Sequence, residues 1–266
     1  MMKKDNFNQI TCKFINSIED LLDDNSEQVW LRGIKKMLSS KLNLDVTHED
    51  VLCFNSSLDS GKVLDFGSGS GYMSVLLNDM GYEVDSADID SSVVNETNDY
   101  FKELVSDQTN LWNLLGNKYS NINFNYYSGD LPFEDNNFDA IFSYAVIEHV
   151  TEDLLDSVMK ELSRVLKPGG ILFISRLPRK FSFSEGLAKL LKMDAHEKLY
   201  GDVEAKNLMD RYGFNILTNS LLEIVPAYPE NFTNKYYKQL SFLDKLLSKT
   251  PVKYFSHHIR MVCKKK

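Results

Sequence analysis

The chain has 266 residues, 43% of them hydrophobic and 26% charged, enough for one substantial α/β domain with appendages or at most two small domains, and ordinary for a globular protein. No run approaches the ~18 consecutive apolar residues of a membrane span, and residues 1–8 lack the apolar core of a secretory leader. The net charge of −8 is uneven. Residues 231–266 hold nine Lys/Arg against the single acid Asp244, a net +8 that leaves −16 elsewhere; so acidic a body argues against a protein gripping nucleic-acid phosphates, the basic tail being the exception.

Residues 1–60 read as a helical N-terminal lid, with apolar stripes at Ile10, Phe14, Ile18 and Leu21 and at Val29, Trp30, Ile34, Met37 and Leu38. Residues 61–225 then alternate strand and helix. Strands are expected at Lys62–Phe66, Tyr82–Asp88, Ile122–Tyr126, Phe138–Tyr144 and Gly170–Arg176. Helices are expected at Tyr72–Met80, Ser91–Val105 and Glu152–Leu166, the last stopped by Lys167-Pro168-Gly169-Gly170. This alternation predicts an α/β fold with a doubly wound, mostly parallel sheet. Further on, helices are expected over Phe181–Met193 and Val203–Tyr212, and a strand over Gly213–Ile224. Residues 226–266 form a basic amphipathic C-terminal segment, with a helix at Asn234–Leu247 and a strand near Ile259–Lys264 completing the sheet.

The most informative run is Val63-Leu64-Asp65-Phe66-Gly67-Ser68-Gly69-Ser70-Gly71, a buried strand ending near an acid and turning through glycines into a helix. Such a turn leaves bare amide N–H groups and the positive end of a helix dipole facing a ligand's anionic group. The dinucleotide fingerprint would need glycine at position 72, which is Tyr72, and this opposes a nicotinamide-dependent oxidoreductase. A second acid, Asp88, ends the next strand at about the ~20-residue offset suited to ribose hydroxyls. Together, Asp65 to Gly71 and Asp88 resemble the first motifs of the class I S-adenosylmethionine-dependent methyltransferases.

Other segments extend the resemblance in the same order. Ser128-Gly129-Asp130-Leu131-Pro132-Phe133 followed by Phe138-Asp139 is similar to the family's adenine-side segment, though without the spacer many relatives have after the acid. Asp130 is either the adenine contact or a turn aspartate. Leu162 to Gly170 is similar to the family's helix-stop-strand signature, and His196, Tyr200-Gly201 and Tyr212-Gly213-Phe214 to its later elements. Ala145-Val146-Ile147-Glu148-His149-Val150 matches the E-H-V segment of quinone, sterol and small-metabolite enzymes. The fuller metal-associated E-x-x-E-H is broken by Ala145, and the three scattered cysteines have no metal-type spacing, so no metal is expected. The same cysteine usage predicts a reducing, cytoplasmic location.

The resemblance implies S-adenosylmethionine as cofactor. Gly67, Ser68, Gly69 and Gly71 would approach its methionine part, with Asp65 near the ammonium. Asp88 would hold the ribose, Ile89 would pack on the adenine, and Asp130 and Leu131 would border it. His149, with Glu148, is a candidate general base, and a structural histidine is the competing reading. The resemblance implies methyl transfer, by in-line displacement and to oxygen, onto a small-molecule, lipid-precursor or carbohydrate acceptor. The alternative is a catalytically silent S-adenosylmethionine-binding module acting as a sensor or partner subunit. The segment 231–266 allows contact with anionic membrane, a clamp on a phosphorylated or lipid-linked acceptor, or a packed helix with a solvated basic face. The packed helix is the default expectation.

Overall fold

A computed structural model describes residues 2–22, 28–89, 99–190, 196 and 198–266, with side chains of the helix beginning at Asp99 described from residue 106. Three helices come first: α1 (Lys4–Glu19), α2 (Val29–Ser39) and α3 (Lys41–Ser57). The core follows as β1 (Lys62–Phe66), α4 (Tyr72–Asp79), β2 (Glu83–Ile89), α5 (Asp99–Lys118), β3 (Ile122–Tyr127) and β4 (Phe138–Tyr144). A single 3₁₀ turn, Ile147–His149, leads to α6 (Glu152–Val165), β5 (Leu166–Pro178), α7 (Phe183–Leu190), α8 (Asp202–Arg211) and β6 (Phe214–Leu222). The chain closes with α9 (Glu230–Lys235), α10 (Tyr237–Leu247), a 3₁₀ turn over Pro251–Phe255 and β7 (His258–Lys265).

The seven strands lie in the order β3-β2-β1-β4-β5-β7-β6. The first five are parallel, and β7 inserts antiparallel between β5 and β6. Strand β1 pairs with both β2 and β4, so the connection reverses direction there and opens a crevice beyond the carboxyl ends of β1 and β4. Alternate strand residues feed two cores. Val63, Val84, Phe142 and Phe173 pack under α1 to α5, while Leu64, Ile141, Leu172 and Ile174 pack with Met159, Leu162 and Met209 of α6 and α8 on the other face.

The expected doubly wound α/β fold is present. Strand β5 is longer than expected: Leu166 already pairs with Phe138, and the ladder then shifts register across the Lys-Pro-Gly-Gly run, so those residues form an irregularity inside the strand. The expected helix Ser91–Val105 begins outside the described residues, as does the end of Phe181–Met193. In α2, Leu38 is buried as expected and Trp30, Ile34 and Met37 pack partly buried against the core, but Val29 is 51% exposed and Leu31 is buried, because neighbouring α1, α3 and α5 determine which face turns inward. The basic amphipathic segment divides into α9 and α10; α10 packs through a half-buried face, with Tyr237 Oη donating to Asp45 of α3 and Asp244 accepting from the Ile224 and Val225 N–H groups, while Lys238 and Lys245 stay exposed.

Candidate functional site

The glycine turn is built as a cradle. Gly67 and Ser68 donate their N–H groups to the Ala87 carbonyl at 2.8 and 3.2 Å, fastening the turn to β2. Gly67 has φ +72°, and a Cβ there would lie 2.4 Å from Val146 Cγ2, so only glycine allows this approach. Gly69 has φ +49°, yet a Cβ there would meet nothing within 4 Å. Its outer side is open space, as a bound ligand requires. Beneath it, the Gly69 carbonyl accepts from Gln108 Nε2 and Trp112 Nε1, each at 2.9 Å, and the Trp112 ring stacks on Phe124 and Tyr126.

Asp88 stands at the mouth of this turn. Its carboxylate accepts from Gly69 N (2.6 Å), Gln108 Nε2 (3.1 Å) and Ile89 N (2.7 Å). A carboxylate has about four lone-pair sites, so one is left for a hydroxyl. Burial raises its pKa, and the N–H donors from Ile89 and Gly69 and the Gln108 amide oppose that rise. Ile89 is 36% exposed, an apolar side chain left uncovered at the strand end. The Ser68 hydroxyl is buried without a hydrogen-bond partner. Open space, a spare acceptor, an apolar face and an orphaned hydroxyl fit a polar nucleoside carrying an amino-acid tail.

Asp65 lies deeper. It is 1% exposed and accepts from Ser74 Oγ at 2.5 Å, with Ser86 Oγ donating in turn to Ser74 at 2.6 Å. Burial pushes its pKa up to about 7, only partly offset by Ser74. The structure therefore places Asp65 below the turn, tying β1 to α4. Asp130 is exposed just past β3, and the Leu131 side chain is buried in the second core. The Leu131 N–H donates to Glu161 Oε2 (2.9 Å) and its carbonyl accepts from Arg164 (3.1 Å).

Residues 145–148 face two ways. Val146 packs on Gly67, while Ala145 and Glu148 line a cavity of about 480 Å³ between the sheet's carboxyl end, α2, α3 and α7. Glu148 is 7% exposed, and its Oε1 accepts no hydrogen bond. Burial pushes its pKa up to about 8. His149 is not among the cavity-lining residues; its side chain is 69% exposed, with Nε2 4.0 Å from Glu148 Oε1. Of the two expected catalytic residues, only Glu148 lies against the cavity.

The cavity floor contains residues that sequence reading missed. Arg176 is buried, donating to Glu223 Oε2 (2.5 Å) and to the Asn43 carbonyl (3.2 Å), with Nε 3.7 Å from buried Asp50. Burial opposes the charged form of Glu223, but Arg176, aided by His258, holds its carboxyl well below the usual range. Burial pushes His258 down to about 4 even though it bonds Glu223. Ala145, Arg176 and Glu223 all have positive φ (55°, 66° and 61°) and all line the cavity. Held strain of about 1–3 kcal/mol per residue is typical of functional sites. No local sequence signal announces it, since none of the three is glycine.

Comparison with known proteins agrees with this geometry. A methyltransferase-domain family model matches residues 64–174. The chain is 28% identical over 195 residues to the demethylmenaquinone methyltransferase of Tropheryma whipplei, covering 68% of this chain and 70% of that protein. It is 33% identical over 122 residues, 46% of its length, to the biotin biosynthesis bifunctional protein BioHC of Cellvibrio japonicus, but spans only 21% of that protein. Its fold matches the Burkholderia thailandensis 1,6-didemethyltoxoflavin-N1-methyltransferase, a structure with bound S-adenosylhomocysteine, at TM-score 0.56 and 13% identity over 100% of this chain and 92% of the other. With the glycine cradle, Asp88 and the sheet order, these findings identify a methyltransferase domain over residues 64–174, similar to those of the class I S-adenosylmethionine-dependent methyltransferases, with S-adenosylmethionine as its cofactor.

Proposed function

We propose that this chain transfers a methyl group to an oxygen of a small, largely apolar acceptor held in the cavity beside the glycine turn. When bound, S-adenosylmethionine supplies a methyl group already activated by its sulfonium. The chain's residues then have to align the acceptor, exclude water and remove one proton. Gly67 to Gly71 and Asp88 hold the cofactor, Ile89 and Asp130 border its base, and Asp65 keeps the turn in place. Tyr144, Leu187, Ala188 and Tyr228 give the cavity apolar walls.

The observation that carries this reading is Glu148: a buried carboxyl, unpartnered at Oε1, in the segment shared by cofactor turn and cavity. It is positioned to accept a hydroxyl proton. Quinone-pathway methyltransferases among the relatives, one of them named as an O-methyltransferase, support an acceptor of this kind. Incubation with tritiated S-adenosylmethionine and a panel of hydroquinones, sterols and carbohydrate intermediates tests it. The expected outcome is solvent-extractable, base-stable label with wild type and none with Asp88→Ala. Cofactor binding without label on any acceptor would favour the silent sensor module.

A second surface bears on where the acceptor is met. Lys238, Phe242, Lys245, Leu246 and Lys249 fall on one exposed face of α10 and the turn after it, with Phe242 71% and Leu246 52% exposed. Lysines framing uncovered apolar side chains suit an anionic membrane. Among the described residues, no helix is long and apolar enough to cross one. Sedimentation with phosphatidylglycerol vesicles is expected to carry the protein down, less so in high salt. Equal sedimentation with neutral vesicles would remove the proposal.

A further inference from the structure

Four of the five histidines gather beside the cavity. The ring centroid of His196 lies 6.3 Å from that of His149, 5.7 Å from that of His257 and 6.3 Å from that of His258; those of His257 and His258 are 3.8 Å apart. Only His48 lies elsewhere, tilted against Phe7. Within this cluster, Glu185 Oε1 is 2.6 Å from His196 Nδ1 and 2.7 Å from His257 Nε2. The three donor atoms lie within 4.8 Å of one another, and all three residues line the cavity.

We propose that Glu185, His196 and His257 form a binding site for a divalent first-row cation of the Zn²⁺ type, with its remaining coordination positions turned toward the cavity. Two imidazole nitrogens and one carboxylate oxygen are a donor set borderline cations favour, and three protein ligands leave room for an outside oxygen. The carboxylate is fixed from behind. Its second oxygen accepts the His196 backbone N–H (3.2 Å), so Oε1 is aimed at the two rings. The glutamate side chain is 5% exposed, while the rings are 31% and 22% exposed, leaving the ion's side of the cluster accessible. Metal–nitrogen bonds of about 2.0–2.1 Å set tetrahedral donors roughly 3.3 Å apart, so Oε1, at 2.6 and 2.7 Å from the two ring nitrogens, needs to part from each only by a fraction of an ångström. Glu223, His257 and His258 also converge, but Glu223 is bound to the Arg176 guanidinium, whose charge repels a cation. Spacing concealed the site, because Glu185 is 11 residues from His196 and 72 from His257.

Chelator-stripped protein titrated with Co²⁺ is expected to develop visible absorption bands that saturate at one equivalent and vanish on adding Zn²⁺. Zn²⁺ is also expected to raise the melting temperature. His196→Gln and His257→Gln, checked for folding by circular dichroism, should weaken binding about 100-fold or more, whereas His48→Gln should not. Wild type without Co²⁺ bands or a Zn²⁺-dependent melting shift overturns the proposal, as do bands of equal affinity in both ligand variants. S-adenosylmethionine takes no part in the titration, so failure here and failure of the methyl-transfer reading are separate results.

Discussion

Replacing Glu148 with glutamine separates a buried ionisable base from a merely buried side chain. The carboxyl titrates near 4.5 when unfolded and near 8 in the folded chain, because burial disfavours its charge. A group that holds its proton longer when folded makes the folded state lose stability as pH climbs from about 4.5 to about 8, and the loss is complete above 8. At about 1.4 kcal/mol per pH unit this interval is worth roughly 5 kcal/mol. Glu148→Gln cannot ionise and escapes that loss. Urea unfolding of wild type and variant at pH 5 and pH 8.5 measures it. The stability of Glu148→Gln relative to wild type should rise by several kcal/mol between the two pH values. Activity should move oppositely: wild-type kcat should climb with pH through about 8, and the variant should lose about 10²–10⁴-fold with the pH dependence gone. A stability difference that is the same at both pH values would refute the reasoning.

Gly67→Ala and Gly69→Ala should fail differently. The first forces a left-handed φ and a 2.4 Å contact with Val146, costing about 2–5 kcal/mol in urea unfolding. The second meets open space and should cost about 1–2 kcal/mol while abolishing the thermal shift with S-adenosylmethionine; equal losses in both assays would contradict the cradle. Arg176→Met leaves Glu223 buried without its guanidinium, while Asp50 keeps Arg260 at 3.0 Å, and should cost about 3–5 kcal/mol, part of which Arg176→Met/Glu223→Gln should recover. A loss under 1 kcal/mol would show the cluster to be solvated. Asp88→Ala should lower calorimetric affinity for S-adenosylmethionine by about 100-fold or more, removing the carboxylate that holds Gly69 N and Gln108; undiminished affinity would reassign the ribose contact.

The cofactor side of the molecule was legible in the chain because it is local. The strand, glycine turn and helix from Lys62 to Asp79 are contiguous, as the sequence predicts; in the structure the strand's alternation sends Val63 and Leu64 to opposite cores. Asp88 could be placed at a strand end by counting. Even there, spacing did not say which way a carboxylate turns. Asp65 and Asp88 both end up near the turn, yet one is sealed under it against Ser74 and the other opens beside Gly69.

Sequence by itself determined the layered α/β class, the glycine cradle and the segment carrying Glu148, since each depends on short-range periodicity and turn chemistry. Only the tertiary structure decided the insertion of β7 between β5 and β6, the choice of Glu148 over exposed His149 at the cavity, and the union of Arg176, Glu185, His196, Glu223 and His257. Those residues come from five separate segments. Charges and ligand atoms act across a few ångströms of space, and the crossing of an antiparallel strand brings them within that range where no spacing along the chain could.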